Sequence, residues 1–262
     1  NHKLNLSFII DYFKSDKPKE EKEKAPYVIK VDRCKLNNVN FSLNLNDSPS
    51  PIPEFGVAVN HMQYDQINGV FDDIVVINDS INVNIKRFSA KERSGVTLKK
   101  LKGKFTVSPK GIICRSMRVE TEESDLRLYA SIKTDSWKTY SYFIDSADCF
   151  LFLQRGSKVG MKDATYWAPM LKGFDQKCEI GAIIKGTVAD AKCSFLEMKT
   201  GDTYIKGKGS VKGLPNIEET VFDVELSSFI TSIARTKTGT ISFGFTRLNS
   251  NTEQREISAS YM

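Results

Sequence analysis

The sequence predicts an all-β fold: a long, curled, mainly antiparallel sheet of repeated strands with one short helix near residues 161–172. Three observations carry this expectation. Apolar and polar residues alternate with period two over most of the chain, as in Ile81, Val83 and Ile85 separated by Asn82 and Asn84, or Leu126, Leu128 and Ala130 separated by Arg127 and Tyr129. Such alternation places one set of side chains on an apolar face and the other on a wet face. Turn-forming residues punctuate the runs, at Asp47-Ser48-Pro49, Ser94-Gly95, Pro109-Lys110-Gly111, Gly201-Asp202 and Gly213-Leu214-Pro215. A single stretch, 161–172 (MKDATYWAPMLK), reads as helix, closed by Gly173 and shortened by Pro169.

The elements follow in order. Residues 1–13 form a strand from a preceding repeat, and 14–26, with the charge run KPKEEKEK at 17–24 and Pro18, form a linker. Residues 27–156 make a first β-repeat region, with strands expected at 27–36, 38–46, 55–64, 67–77, 80–91, 97–108, 111–120, 124–134 and 140–153. Residues 157–173 hold the helix and its connection. A second β-repeat region covers 174–262, with strands at 177–187, 192–200, 203–212, 219–228 and 238–247. No signal-peptide pattern opens the chain, and strand-like text from the first residue suggests a segment of a longer protein.

The chain also repeats. Residues 117–133 (MRVETEESDLRLYASIK) align without a gap on 196–212 (LEMKTGDTYIKGKGSVK) at an offset of 79, and the offset also pairs Cys114 with Cys193. The expected unit is a strand, a tight turn and a strand, and one unit exposes an apolar face that it cannot bury alone.

Composition narrows the function. At 40% hydrophobic and 27% charged residues the chain can bury a core and is not disordered in composition. No window approaches the about 18 consecutive apolar residues of a membrane-spanning helix. The net charge of +6 is spread along the chain without a basic stripe interleaved with stacking aromatics, so nucleic acid is not an expected partner. Five cysteines occur without a CxxC pair, which suggests buried free thiols rather than a zinc or redox site.

The search for chemistry finds no catalytic constellation. The two histidines, His2 and His61, sit in unrelated strand text. The acidic pairs Asp72-Asp73, Glu122-Glu123 and Glu218-Glu219 are sequence neighbours, which in a strand point to opposite faces. The glycines of 207–213 (GKGSVKG) lie inside an alternating strand rather than at a strand-to-helix turn, so they relieve crowding instead of cradling phosphate. No enzyme activity, metal or cofactor is expected. What remains is an extended apolar face, with Val83, Ile85, Val107, Val119, Leu126, Leu128, Ile132, Ile205, Val211, Val224, Leu226, Phe243 and Phe245 as its candidate lining.

Four phrases carry a resemblance. They are LKGFDQKCEIGAIIKGT (171–187), VKGLPNIEETVFDVELSSFITS (211–232), IKVDRCKLNNVNFSLNL (29–45) and FSAKERSGVTLKKLKGKFTV (88–107). Their strand grammar resembles that of TamB-like proteins of the AsmA-like superfamily, especially those of Bacteroides-type Gram-negative bacteria, over roughly residues 27–235. The resemblance implies a periplasmic segment of a protein anchored in the inner membrane, with curled sheets forming a hydrophobic groove, the β-taco. It further implies a role in phospholipid transport and outer-membrane biogenesis, with a phospholipid or other acyl chain as ligand and an outer-membrane barrel as partner of the full-length protein. The alternative from another class is a surface or envelope β-sandwich that binds carbohydrate or protein without catalysis, for which Trp137, Tyr140 and Tyr142 would supply the aromatics.

Overall fold

The computed structural model describes residues 27–44, 61–142, 146–166, 173, 176–214, 220–231, 234–235, 241–246 and 256–261. Its strands are β1 (Val28–Asn44), β2 (His61–Ile77), β3 (Ser80–Glu92), β4 (Thr97–Ser108), β5 (Gly111–Glu120), β6 (Asp125–Lys133) and β7 (Asp148–Gly160). They continue as β8 (Lys177–Gly186), β9 (Asp190–Thr200), β10 (Thr203–Lys212), β11 (Val221–Thr231), β12 (Ala234–Arg235), β13 (Ile241–Thr246) and β14 (Glu256–Tyr261). The helix α1 is Met161–Thr165, and a 3₁₀ turn spans Trp137–Tyr142. The expected strand at 1–13, the linker at 14–26, Glu218-Glu219 and residues 167–172 of the expected helix lie outside the described residues.

All strands belong to one antiparallel sheet, hydrogen-bonded in chain order from β1 to β11 and on through β13 and β14, with β12 on β11. The sheet is curled and does not close on itself. Consecutive strands joined by short turns can only pair as antiparallel neighbours, so the order of the sheet follows from the punctuation of the sequence. The two β-repeat regions meet directly where β7 pairs β8 from Cys149↔Gly186 to Gly160↔Lys177, and they form one continuous layer.

Three expectations on strand limits are corrected. The strands expected at 27–36 and 38–46 are one strand, β1, and 67–77 continues back to His61 as β2. Asn38 and Gln66 adopt left-handed backbone, with φ of 51° and 53°, at register shifts in these strands. Each marks a β-bulge, which bends a strand without ending it. The strand expected at 140–153 instead runs Asp148–Gly160, beyond the 157 at which the helical connection was expected to begin. The polar text around Gly156 (φ 76°) conceals another bulge, whose Ser157 hydroxyl donates to the Gln154 carbonyl at 2.7 Å. Residues 137–142 close a local turn, with Thr139 N–H donating to the Ser136 carbonyl at 3.1 Å and the Tyr140 hydroxyl to the Ser108 carbonyl at 2.8 Å.

The hairpins β5–β6 and β9–β10 have the same register at the 79-residue offset. Val119↔Leu126 corresponds to Met198↔Ile205, Met117↔Leu128 to Leu196↔Gly207, and Cys114↔Ala130 to Cys193↔Gly209, with the bulge between the last two pairs in both. The equivalence extends outward: Lys102↔Arg118 and Phe105↔Cys114 of β4–β5 correspond to Gly181↔Glu197 and Ile184↔Cys193 of β8–β9. In the strand before, Ile81↔Val107 corresponds to Cys149↔Gly186. The unit is therefore four strands, β3–β6 and again β7–β10. The connection that carries α1 is longer than its counterpart between β3 and β4.

That connection is pinned to the first unit. Asp163 of α1 accepts hydrogen bonds from the Thr121 hydroxyl, the Ser124 hydroxyl (2.5 Å) and the Glu123 N–H (3.3 Å) at the β5–β6 turn. Gly160 N–H donates to the Ser124 hydroxyl at 2.9 Å, and Lys177 pairs with Glu123 at 2.6 Å.

Candidate functional site

Residues directly opposite in an antiparallel pair project to the same face of the sheet. Followed from strand to strand, the register assembles continuous rows. One runs Val76, Ile81, Val107, Ile112, Ile132, Cys149, Gly186, Ala191, Val211 and Phe222. The next runs Val83, Phe105, Cys114, Ala130, Leu151, Ile184, Cys193, Gly209 and Val224. A third contains Cys34, Phe71, Ile85, Gly103, Met117, Leu128, Leu153, Ala182, Leu196, Gly207 and Leu226. A fourth contains Phe88, Leu101, Val119, Leu126, Ile180, Met198, Ile205 and Phe229. No Asp, Glu, Lys or Arg stands in these four rows.

Eleven of the sequence candidates fall on this face: Val107, Ile132 and Val211 in the first row, Val83 and Val224 in the second, Ile85, Leu128 and Leu226 in the third, Val119, Leu126 and Ile205 in the fourth. For Phe243 and Phe245 the backbone alone is described, and it pairs with Val224 and Phe222. The list of candidates omitted many of their neighbours. Gly103, Gly186, Gly207 and Gly209 have no side chain to betray a face, and the bulges shift the alternation by one residue, so that Met117 and Leu196 fall out of phase with the text before them.

The third row is the most deeply placed. Ile85, Met117, Ala182 and Leu226 are all buried. Among the described residues, however, every extensive contact between elements joins hydrogen-bonded neighbours, apart from α1 on the end of β7. Among the described residues no second layer covers the face. Its burial comes from the packing of adjacent rows within the sheet, while Ile81 and Phe222 of the first row are exposed. Glycines let the layer pack tightly: a Cβ at Gly207 would lie 2.4 Å from the Glu225 carbonyl oxygen, and one at Gly209 would lie 2.5 Å from that of Asp223.

All five cysteines belong to the apolar face. Cys34, Cys114, Cys149 and Cys193 stand in the rows above, and Cys178 shares the parity of Ile180 two residues further along β8. All five are free thiols. Burial pushes the thiols of Cys114, Cys149 and Cys193 above the ordinary range, which keeps them protonated and poorly nucleophilic.

The opposite face is polar and held by ion pairs. Arg33 forks onto Asp72, with Nε to Oδ1 at 2.7 Å and Nη2 to Oδ2 at 3.0 Å, and Arg118 onto Asp125 at 2.9 and 3.0 Å. The Arg33 guanidinium holds the Asp72 carboxyl below its usual range, and Arg118 does the same for Asp125. Aromatic side chains break this face locally. Phe195 lies under Arg155 with 4.6 Å from guanidinium carbon to ring centroid, and Phe150 lies under Lys185 at 5.4 Å.

The chemistry-bearing residues singled out in the sequence stay apart. His61 begins β2 opposite Asn44, and His2 lies outside the described residues. Asp72 is committed to Arg33, while Glu122 and Glu123 occupy a turn and pair with Lys99 and Lys177, each at 2.6 Å. Among the described residues no group of three or more His, Cys, Asp or Glu gathers. Trp137 and Tyr140 stack on each other with centroids 5.4 Å apart, and the side chain of Tyr142 lies outside what is described. No family model, curated protein or solved structure matches the chain.

Proposed function

We propose that this chain is a segment of a TamB/AsmA-like envelope protein whose apolar face screens acyl chains from water. In this reading it is non-enzymatic and stands in the periplasm within a protein anchored to the inner membrane. It supports phospholipid transport and outer-membrane biogenesis, with an outer-membrane barrel as partner of the full-length protein. The observation that supports it best is the set of four charge-free rows on one face of an unclosed sheet, without a covering layer among the described residues.

The physical argument is one of continuity. An uncovered apolar face larger than a few hundred Å2 is unfavourable in water and marks a binding surface. Each CH₂ group it screens contributes about 0.8 kcal/mol. From β2 to β11 there are nine strand spacings, about 43 Å at about 4.8 Å each. One bilayer leaflet is about 15 Å of hydrocarbon, so an acyl chain fits along the face with room to slide. A row without charges presents no desolvation barrier to that movement.

The test is site-specific photocrosslinking from Leu128 and Val211 in the full-length protein, joined to a lipid-transport assay on folded Leu128→Glu and Val211→Glu variants. Lipid adducts at both positions and blocked transport in the variants are expected. Absence of adducts together with normal transport in both variants rejects the reading.

A further inference from the structure

Around the β5 bulge, strands β4–β7 form a recess of about 610 Å3, which Met117 and Leu128 of the third row also line. Its lining includes Lys102, Arg115, Arg118 and Arg127, with Tyr129 and Phe152 as an apolar wall. Lys102 stands directly opposite Arg118, and Arg118 directly opposite Arg127, so three cations follow one another across three strands. Arg115 stands opposite a fifth cation, Lys104. Like charges in direct cross-strand register repel and destabilise a sheet. Arg118 is relieved by Asp125 and Glu120, at 2.9 Å each. Among the described residues Lys102, Arg115 and Arg127 have no carboxylate within ion-pair distance; Arg115 reaches only the Thr106 hydroxyl, at 3.4 Å.

The scaffold itself does not call for these cations. In the second four-strand unit the positions of Lys102, Arg115, Arg118 and Arg127 are held by Gly181, Ser194, Glu197 and Lys206, in the same registers and around the same bulge. Four cations in one unit thus correspond to one cation and one acid in the other. In the first unit Ser116 takes left-handed backbone (φ 52°), and bulges of this kind re-aim the side chains beside them. A local arrangement that costs stability, and that an equivalent hairpin does without, is the signature of a binding site.

We propose that this recess binds a phosphate ester, its anionic oxygens facing Lys102, Arg115 and Arg127 and its organic part resting on Tyr129 and Phe152. Arginine forks match phosphate oxygens, and the two rings favour an ester over the bare ion. The site does not depend on the acyl-chain reading, since its cations stand in a row on the other face of the sheet. The phosphate can belong to a lipid headgroup at a membrane surface or to a soluble ester.

The experiment compares the 262-residue chain with Lys102→Gln/Arg115→Ser, which carries in place of Arg115 the residue of the second unit, and with Lys185→Gln/Lys192→Gln, which removes the same charge elsewhere on the polar face. One arm titrates glycerol 3-phosphate by calorimetry, with sodium sulfate as reference. The other sediments the protein with phosphatidylglycerol vesicles, with phosphatidylcholine vesicles as reference. Binding in either arm that falls at least tenfold in Lys102→Gln/Arg115→Ser and less than twofold in Lys185→Gln/Lys192→Gln supports the site, and the arm that responds names the source of the phosphate. A second readout is stability: Arg127→Gln relieves repulsion, so its Tm is expected to rise by about 1–3 °C while binding weakens. Absence of binding in both arms, equal loss in both double variants, or a fall in Tm on replacing Arg127 overturns the proposal.

Discussion

Leu126 and Ile205, 79 residues apart, occupy the same position in two hairpins of identical register, the one opposite Val119 and the other opposite Met198. Both project to the apolar face, and both lie in the first residues of a strand that follows a tight turn. A repeated unit of four strands therefore builds this sheet, and each unit passes its unpaired edge to the next. Stability is then shared between unit and interface, as in other stacked repeats.

Close backbone approach between β10 and β11 makes Gly207 intolerant of a side chain. Gly207→Val is expected to cost about 1–3 kcal/mol by overpacking, since its Cβ would lie 2.4 Å from the Glu225 carbonyl oxygen. Urea denaturation measures it. A change below about 0.5 kcal/mol would mean that β11 does not pair as closely as described.

The helix α1 is held to the sheet by one carboxylate. Asp163→Ala removes the acceptor for Thr121, Glu123 and Ser124, and a loss of about 2 kcal/mol is expected for hydrogen bonds to a charged group. Amide exchange at 121–124 should accelerate more than exchange in β9–β10. Uniform acceleration across both hairpins would contradict a local role.

Acid should weaken the polar face in a defined window. Asp72 and Asp125 titrate below their usual range in the folded chain because Arg33 and Arg118 bind their ionised forms. The folded state then holds fewer protons than the unfolded one, so this stabilisation is fully present above the ordinary carboxylate value of about 3.9. It is lost as pH falls through the lower folded values. Below about pH 4, Tm should fall more steeply in the wild type than in Asp72→Asn/Asp125→Asn. Parallel pH profiles would show that the two pairs carry no linked stability.

The cysteines offer native reporters of the apolar face. Cys114, Cys149 and Cys193 are kept protonated by burial, so alkylation at pH 7 should run at least about tenfold slower than in urea-unfolded chain. Phospholipid loaded on the face should slow it further, read by mass spectrometry at each cysteine. Equal rates with and without lipid would place the acyl chain elsewhere.

Period-two alternation and the turns that punctuate it determined that the chain is all-β, that its strands are antiparallel neighbours and that residues such as Val83 and Ile85 share a face. Side-chain parity is a local property of extended backbone, and tight turns leave sequential strands no other partner. The offset of 79 residues, too, was legible in the text of 117–133 and 196–212. The tertiary structure decided what locality cannot express. Left-handed residues such as Asn38, Gln66 and Ser116 reset parity in mid-strand, and only the partner strand tells a bulge from a turn. Residues with small or absent side chains, such as Ala182 and Gly207, join the apolar rows through cross-strand register and not through hydrophobicity. The alignment of Lys102, Arg118 and Arg127 brings together residues from three strands, so no run of sequence records it. Whether the apolar face is covered depends on the whole sheet: eleven long strands that curl without closing leave no later element to lie across it, among the described residues.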